Sequence, residues 1–313
     1  MERKSENIQR AIVQELNNIM VENDQVVVVN ADIALLFKDG PDSISCPDRV
    51  LDVGIAEQNM IGFASGLAYS GKTVFTTTIA EMAVARVIEQ IRLDGCYPDL
   101  NINMFGQGRG FAYGIGGNSH IITEDFAMLR GIPNIKIIIP ADAREARKVM
   151  HEALSVNGTK YIAISRGNTP NVYEDDYEFH IGKAVTMREG TDVTIIAVGD
   201  MVAPALDAVE ILKENGINAR MINMHTLKPL DNEAVIKAAK ETGAILTVET
   251  HNVLGGLGSA VSEVVCEECP IPMKKMGAPD QFSKVGPMNE LIAHLGLDAE
   301  HIAAEAEKLI QRK

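Results

Sequence analysis

The chain has 313 residues, of which 46% are hydrophobic and 23% charged, a globular balance that excludes a disordered, collagen-like or low-complexity chain. Its 43 Asp and Glu outnumber 29 Lys and Arg, a formal charge of −14, so a nucleic-acid-binding surface would have to form against the overall field, and no nucleic-acid partner is expected. With 4% aromatics, no Trp and 14 Met, the core must be aliphatic and stacking platforms for bases are scarce.

Short β-branched runs alternate with longer helical patterns, which predicts parallel sheets with crossover helices. In chain order, strands are expected over 26–30 (VVVVN), 50–53, 73–77, 101–105, 135–139 and 161–165. Helices are expected over 56–70, 82–93, 124–130 and 143–154. The polar, acidic stretch 168–178 (NTPNVYEDDYE) has the composition of a linker. A second series follows, with strands over 193–198, 219–223, 245–249 and 273–276. Helices are expected over 203–215, 232–242 and 258–265, and two terminal ones over 287–295 and 299–311. The expected fold class is α/β with two doubly wound domains, residues 1–170 and 189–313, joined by a linker over 171–188.

The charged start MERKSENIQRAIVQEL lacks the apolar core of a secretory signal. No run of about 18 apolar residues occurs, so a cytoplasmic protein without membrane association is expected. Cys46, Cys96, Cys266 and Cys269 give no disulfide framework in a chain of this length. The C-x-x-C pair Cys266 and Cys269 lacks a second pair or clustered histidines, and is read as a helix-end coincidence rather than a zinc site.

Glycine lets backbone N–H groups approach a phosphate at a helix N-terminus. Gly255-Gly256-Leu257-Gly258-Ser259 follows a strand and precedes a helix, but the dinucleotide fingerprint is incomplete and a tight turn explains the glycines. The segment 106–117 (GQGRGFAYGIGG) has no Lys-Ser/Thr ending, and reads as a flexible loop presenting Arg109 and His120. Glu57 falls where a strand turns into an apolar helix. Two readings stand there: a partly desolvated carboxylate that shares a proton near neutrality, or a first-turn Glu favoured by the helix dipole.

The string Asp52-Val53-Gly54-Ile55-Ala56-Glu57-Gln58-Asn59-Met60 resembles the signature of the pyrimidine-binding domain of transketolases. In the family's order follow 129–134 (LRGIPN), Ile139-Pro140-Ala141-Asp142 and Ser165-Arg166. Thr247-Val248-Glu249 and 255–260 (GGLGSA) resemble the family's C-terminal domain. The resemblance implies a pyrimidine-binding domain for thiamine diphosphate followed by a smaller transketolase C-terminal domain. Transketolases also need a diphosphate-binding domain with a Gly-Asp-Gly motif and a downstream Asn, whereas the one Gly-Asp pair here, Gly199-Asp200, precedes Met201. The chain therefore resembles the C-terminal subunit of a split transketolase. Its expected partner is an N-terminal subunit that carries the diphosphate-binding domain and a divalent Mg or Ca, assembled as α2β2.

By this resemblance Glu57 hydrogen-bonds the pyrimidine N1′ of thiamine diphosphate, and His120 handles substrate hydroxyl protons. Arg166 and Arg3 grip a substrate phosphate, with Arg109 also on the substrate side, and Asp32 lies beside the cofactor. Ile79 and Met82 stand where most transketolases place two aromatics against the aminopyrimidine. Other departures are Gly116 for an Asp, Ile121 for a Gln, Leu36 for a phosphate-contacting Ser and Gly108 for a His. The implied reaction moves a two-carbon ketol group from a ketose, phosphorylated and of atypical structure, to an aldehyde. Two alternatives stay open: a thiamine-diphosphate enzyme acting on a 2-oxoacid, like deoxyxylulose-phosphate synthases or oxoacid dehydrogenase β-subunits, and a non-catalytic regulatory module.

Overall fold

The computed structural model describes residues 3–32, 44–173 and 177–313. In chain order the strands are β1 (Ser5–Asn7), β2 (Val26–Asn30), β3 (Val50–Asp52), β4 (Thr73–Ile79), β5 (Ile102–Gln107), β6 (Lys136–Ile138) and β7 (Lys160–Ile164). They continue as β8 (Asn168–Pro170), β9 (Val185–Arg188), β10 (Val193–Ala197), β11 (Ala219–Asn223), β12 (Thr226–Lys228), β13 (Ile245–Asn252) and β14 (Met273–Ala278).

Both large sheets are built as the alternation predicts. The first has seven strands in the order β12-β6-β7-β5-β4-β2-β3, and the second has five in the order β14-β13-β10-β11-β9. Every residue of β2, β7 and β10 is buried, as continuous β-branched runs require when helices cover both faces of a parallel sheet. On one face of the first sheet the helices Ile8–Glu22 and Ala143–Ser155 pack together through Ile8, Ile12, Leu16, Val149 and Met150. On the other, Met60, Ile61 and Ala64 of the helix Glu57–Tyr69 join a core that continues into Ile222, Val235, Ile245 and Leu257 of the second unit. The two units thus share one apolar core.

Three features depart from the expectation. The linker contains β9, which pairs antiparallel with β11 as an edge of the second sheet, so that sheet begins at Val185 rather than 189. Strand β12, after β11, leaves the second unit and pairs antiparallel with β6 at the edge of the first sheet. The helix expected over 82–93 is split into Ala80–Val84 and Ile88–Gln90, with a wide π turn over Ile91–Cys96. Val87 leaves helical geometry at φ −126°, and a side chain at Gly95 would meet Thr159 Oγ1 at 2.9 Å. Gly95 thereby lets the widened turn approach Thr159, just before β7.

Candidate active site

Strands β2, β3, β4, β5 and β7 run parallel, so the segments that leave their carboxyl ends converge on one edge of the sheet. Open α/β sheets bind ligands at that edge. Asp32 leaves β2, Glu57 follows β3, Ile79 and Met82 lie at the end of β4, the 108–120 loop leaves β5 and Arg166 follows β7.

The turn after β3 is organised by Asp52, whose Oδ1 accepts the N–H groups of Gly54 at 2.8 Å and Asp32 at 3.2 Å. Gly54 takes φ +72°, which glycine adopts without a side-chain penalty. Glu57 then opens the helix and is 7% exposed. A surface Glu serving only the helix dipole would stay in water, whereas this carboxylate is enclosed and paired with Arg86, whose Nη1 lies 3.3 Å from both oxygens. Arg86 occupies the break between the helices Ala80–Val84 and Ile88–Gln90. Ile79 and Met82 are half-buried on the same stretch, two aliphatic side chains fit for the face of a planar ring. Glu81 stands between them. Burial raises its proton affinity, opposed by Arg86 and His120 and reinforced by Glu57 and Glu124, and its Oε2 is buried without a hydrogen-bond partner.

The 108–120 loop makes close contacts at Gly108 and Gly114, while residues 115, 116, 118 and 119 stay exposed. Gly108 at φ +68° lies beneath the Tyr113 ring, where a side chain would come within 2.1 Å of Tyr113 Cδ2. The family's His at this position is therefore incompatible with the present place of Tyr113. Arg166 stacks on that ring, its Cζ 4.2 Å from the centroid, and the His120 imidazole lies 6.0 Å from it. Tyr113 thus brings Arg166 and His120 together. His120 Nδ1 is 2.9 Å from Ser119 Oγ. Gly116 does not adopt positive φ; instead, a side chain there would press on His120, 3.0 Å from Cγ. Ile121 is 6% exposed and belongs to the second apolar cluster rather than to the site wall. Leu36 lies outside the described residues.

Two of the expected arginines have carboxylate partners within the chain. Arg109 is 1% exposed, so the expectation that it meets substrate is corrected. Its Nη1 donates to Thr250 Oγ1 at 2.7 Å, its Nε is 3.6 Å from Asp125 Oδ2 and its Cζ is 4.4 Å from the Phe126 ring centroid. It is a buried cation at the seam of the two units, and it also acts on the carboxyls of Asp200 and Glu249. Arg3 is engaged by both oxygens of Asp207 at 2.9 and 3.0 Å, on the helix Val202–Glu214 of the second unit. This pair ties the start of the chain to that helix.

The glycine turn at 255–259 holds the protein's own carboxylate. Glu249, fully buried, accepts the N–H groups of Leu257 at 2.7 Å and Gly258 at 2.8 Å. A side chain at Gly256 would fall 2.1 Å from Glu249 Oε2, so the glycine admits a carboxylate where a nucleotide phosphate would otherwise bind. Cys266 is exposed and Cys269 half-buried at a helix end. Among the described residues no three His, Cys, Asp or Glu gather to hold a metal, and no helix is long and apolar enough to cross a membrane. Sequence reasoning did not single out Arg86, Glu81 or Tyr113. The signal for the first two was a Glu and an Arg in an apolar stretch directly after a strand that carries two candidate ring contacts.

Comparisons with known proteins identify the family of this fold. Residues 5–172 match the family model for the transketolase pyrimidine binding domain, and residues 182–302 that for the transketolase C-terminal domain. The chain is 40% identical over 291 residues to the 6-deoxy-6-sulfo-D-fructose transketolase subunit SqwH of Clostridium sp. (strain MSTE9), covering 93% of this chain and 90% of that protein. It is likewise 40% identical to an apulose-4-phosphate transketolase subunit of Phocaeicola vulgatus, with 93% of each covered. A solved structure described as a split gene transketolase, inactive beta4 tetramer, superposes with a TM-score of 0.91 at 39% identity, covering 98% of this chain and 99% of that one. The transketolase of Pichia stipitis shares the fold at a TM-score of 0.80 and 19% identity, with 46% of its chain covered. The chain therefore belongs to the transketolase family, a thiamine-diphosphate-dependent family, as a subunit of the split type that carries the pyrimidine-binding and C-terminal domains.

Proposed function

We propose that this subunit forms half of a thiamine-diphosphate site and transfers a two-carbon ketol unit from an atypical ketose, phosphorylated or similarly anionic, to an aldehyde. The observation that carries the reading is the convergence of Glu57, Ile79, Met82, His120 and Arg166 on one carboxyl edge of the first sheet. The donor set fits the aminopyrimidine end of the cofactor: an enclosed carboxylate with one cationic partner, beside two half-buried aliphatic side chains. Glu57 would hold N1′ of the ring, Ile79 and Met82 its face, and Asp32 its rim. When bound, the cofactor supplies the electron sink for carbon–carbon cleavage. Within the chain, His120 takes and returns protons at the substrate hydroxyls, and the fork of Arg166 grips the terminal anion.

We assign the diphosphate end and a divalent Mg or Ca to an N-terminal partner subunit, in an α2β2 assembly located in the cytoplasm. Support for a partner comes from the helix Glu57–Tyr69, whose outward side leaves Phe63 45% and Tyr69 69% exposed, next to Ile55 at 75%. Open space beside Gly62 and Gly66 would admit another helix there. An atypical donor is supported by the 40%-identical relatives, whose names specify a sulfofructose and an apulose phosphate, and by Gly116, which stands against His120 without a polar side chain.

Reconstitution with the partner subunit, followed by product analysis on a panel of phosphorylated and sulfonated ketoses, oxoacids and aldehydes, tests the reading. Ketol transfer from one of the ketoses is expected. Turnover of oxoacids alone would favour the synthase-like alternative, and no turnover with bound cofactor the regulatory one.

A further inference from the structure

His120 has few anchors of its own. Its ring is held by Ser119 Oγ at 2.9 Å, and its N–H donates to Gly117 O at 2.9 Å inside a turn that kinks at Gly117, φ 69° and ψ −169°. What fixes this loop lies in the other domain. The Asn118 carboxamide donates to Ser283 O at 2.8 Å and accepts from Ser283 N–H at 3.0 Å, reading both backbone groups of one residue. Gly286 N–H donates to Gly114 O at 3.2 Å, and a side chain at Gly114 would strike Gly286 O at 2.3 Å. Val285 Cγ2 lies 3.3 Å from where a side chain on Gly117 would begin. The loop residues 114, 117 and 118 therefore dock on 283–286, the segment that follows β14, while Gly116 faces the imidazole.

We propose that Asn118 is a positioning residue for His120: by pairing with both backbone groups of Ser283, it makes the C-terminal domain set where the imidazole stands. The inference rests on the role of His120 proposed above. Ser283 contributes only main chain to the pair, so the specificity of the clamp resides in the carboxamide. An alanine at 118 loses both bonds, and an aspartate keeps the acceptor but sets a carboxylate oxygen against the Ser283 carbonyl. Asn118 is exposed, so neither change removes packing from the core.

The test uses the complex reconstituted with its partner subunit. Asn118→Ala is expected to lower kcat/KM for the preferred ketose about tenfold, the size that follows from losing two modest hydrogen bonds, and Asn118→Asp to retain part of that loss. Amide hydrogen exchange over 114–120 should quicken in Asn118→Ala, with the thermal midpoint nearly unchanged. The decisive readout is the double variant: in a His120→Asn background the further change Asn118→Ala should cost almost nothing, because it acts through the missing imidazole. Additive losses would overturn the proposal, as would unchanged exchange and kcat/KM in Asn118→Ala beside a crippled His120→Asn. A silent His120→Asn would instead overturn the His120 assignment, and this inference with it.

Discussion

One guanidinium nitrogen of Arg86 stands 3.3 Å from each carboxylate oxygen of Glu57. An enclosed carboxylate beside a single cation keeps an oxygen able to share a proton with the ring nitrogen proposed for this site. Replacing Glu57 by Gln removes that proton partner, so kcat should fall by about two to four orders of magnitude, the range of general acid–base contributions. A Glu that only complemented the helix dipole would cost about 0.3–1 kcal/mol of stability and leave turnover intact. Turnover of the reconstituted complex and thermal melting of the subunit, measured on the same Glu57→Gln preparation, separate the two.

Arg166 lies over the Tyr113 ring, 4.2 Å from the centroid. Arg166→Lys keeps the charge and loses both the fork and the flat stacking surface, so KM for an anionic ketose should rise while a neutral analogue is little affected. Tyr113→Leu should raise the same KM more modestly, by about two- to fivefold, in line with a cation–π contact of about 0.5–1 kcal/mol. Equal effects on charged and neutral donors would assign Arg166 to structure.

Arg109 behaves differently because it is buried against Asp125. Arg109→Met should reduce stability by about 3–5 kcal/mol, the cost of leaving a buried counter-charge unpaired. Urea unfolding of the subunit reads this loss, whereas a substrate contact would move KM at unchanged stability.

Glu145 gives a pH dependence. It is buried, and desolvation pushes its carboxyl up to about 8, against hydrogen bonds from Ala141 N–H, Asn223 and Tyr177 that favour the charged form. Because the folded value lies above the unfolded one, the folded state holds the proton longer. Stability from this group is complete below the unfolded value and declines as pH rises towards 8. Glu145→Gln should remove that decline, so its melting temperature should gain on the parent between pH 5 and pH 8. Asn223 Oδ1 has no partner, and a flipped Asn223 amide would accept from the new glutamine. A constant difference across this range would show that Glu145 does not titrate there.

Strands that are continuous β-branched runs, such as VVVVN in β2 and VTIIA in β10, were legible because burial on both faces leaves its mark in composition. Strands β1 (SEN), β8 (NTP), β9 (VTMR) and β12 (TLK) carry no such mark. They are short edge strands whose pairing is decided by distant partners. Glu57 and His120, the residues proposed for the site, each lie in a motif held by one segment, which is why the sequence alone could single them out. Arg109 was misplaced because its surroundings, Thr250, Asp125 and Phe126, come from separate stretches of chain. Glycines were informative only after contacts were known: Gly108 clears Tyr113 and Gly256 clears Glu249.

Strand β12 lies beyond the linker yet completes the edge of the first sheet beside β6. During synthesis, the first sheet must therefore wait for residues up to Lys228 before β6 is covered. A chain halted near residue 188 would present β6 as an unpaired edge, the form of surface that recruits strands from other molecules. Separate expression of residues 1–188 should therefore yield aggregates, which a supplied 189–313 fragment carrying β12 should relieve.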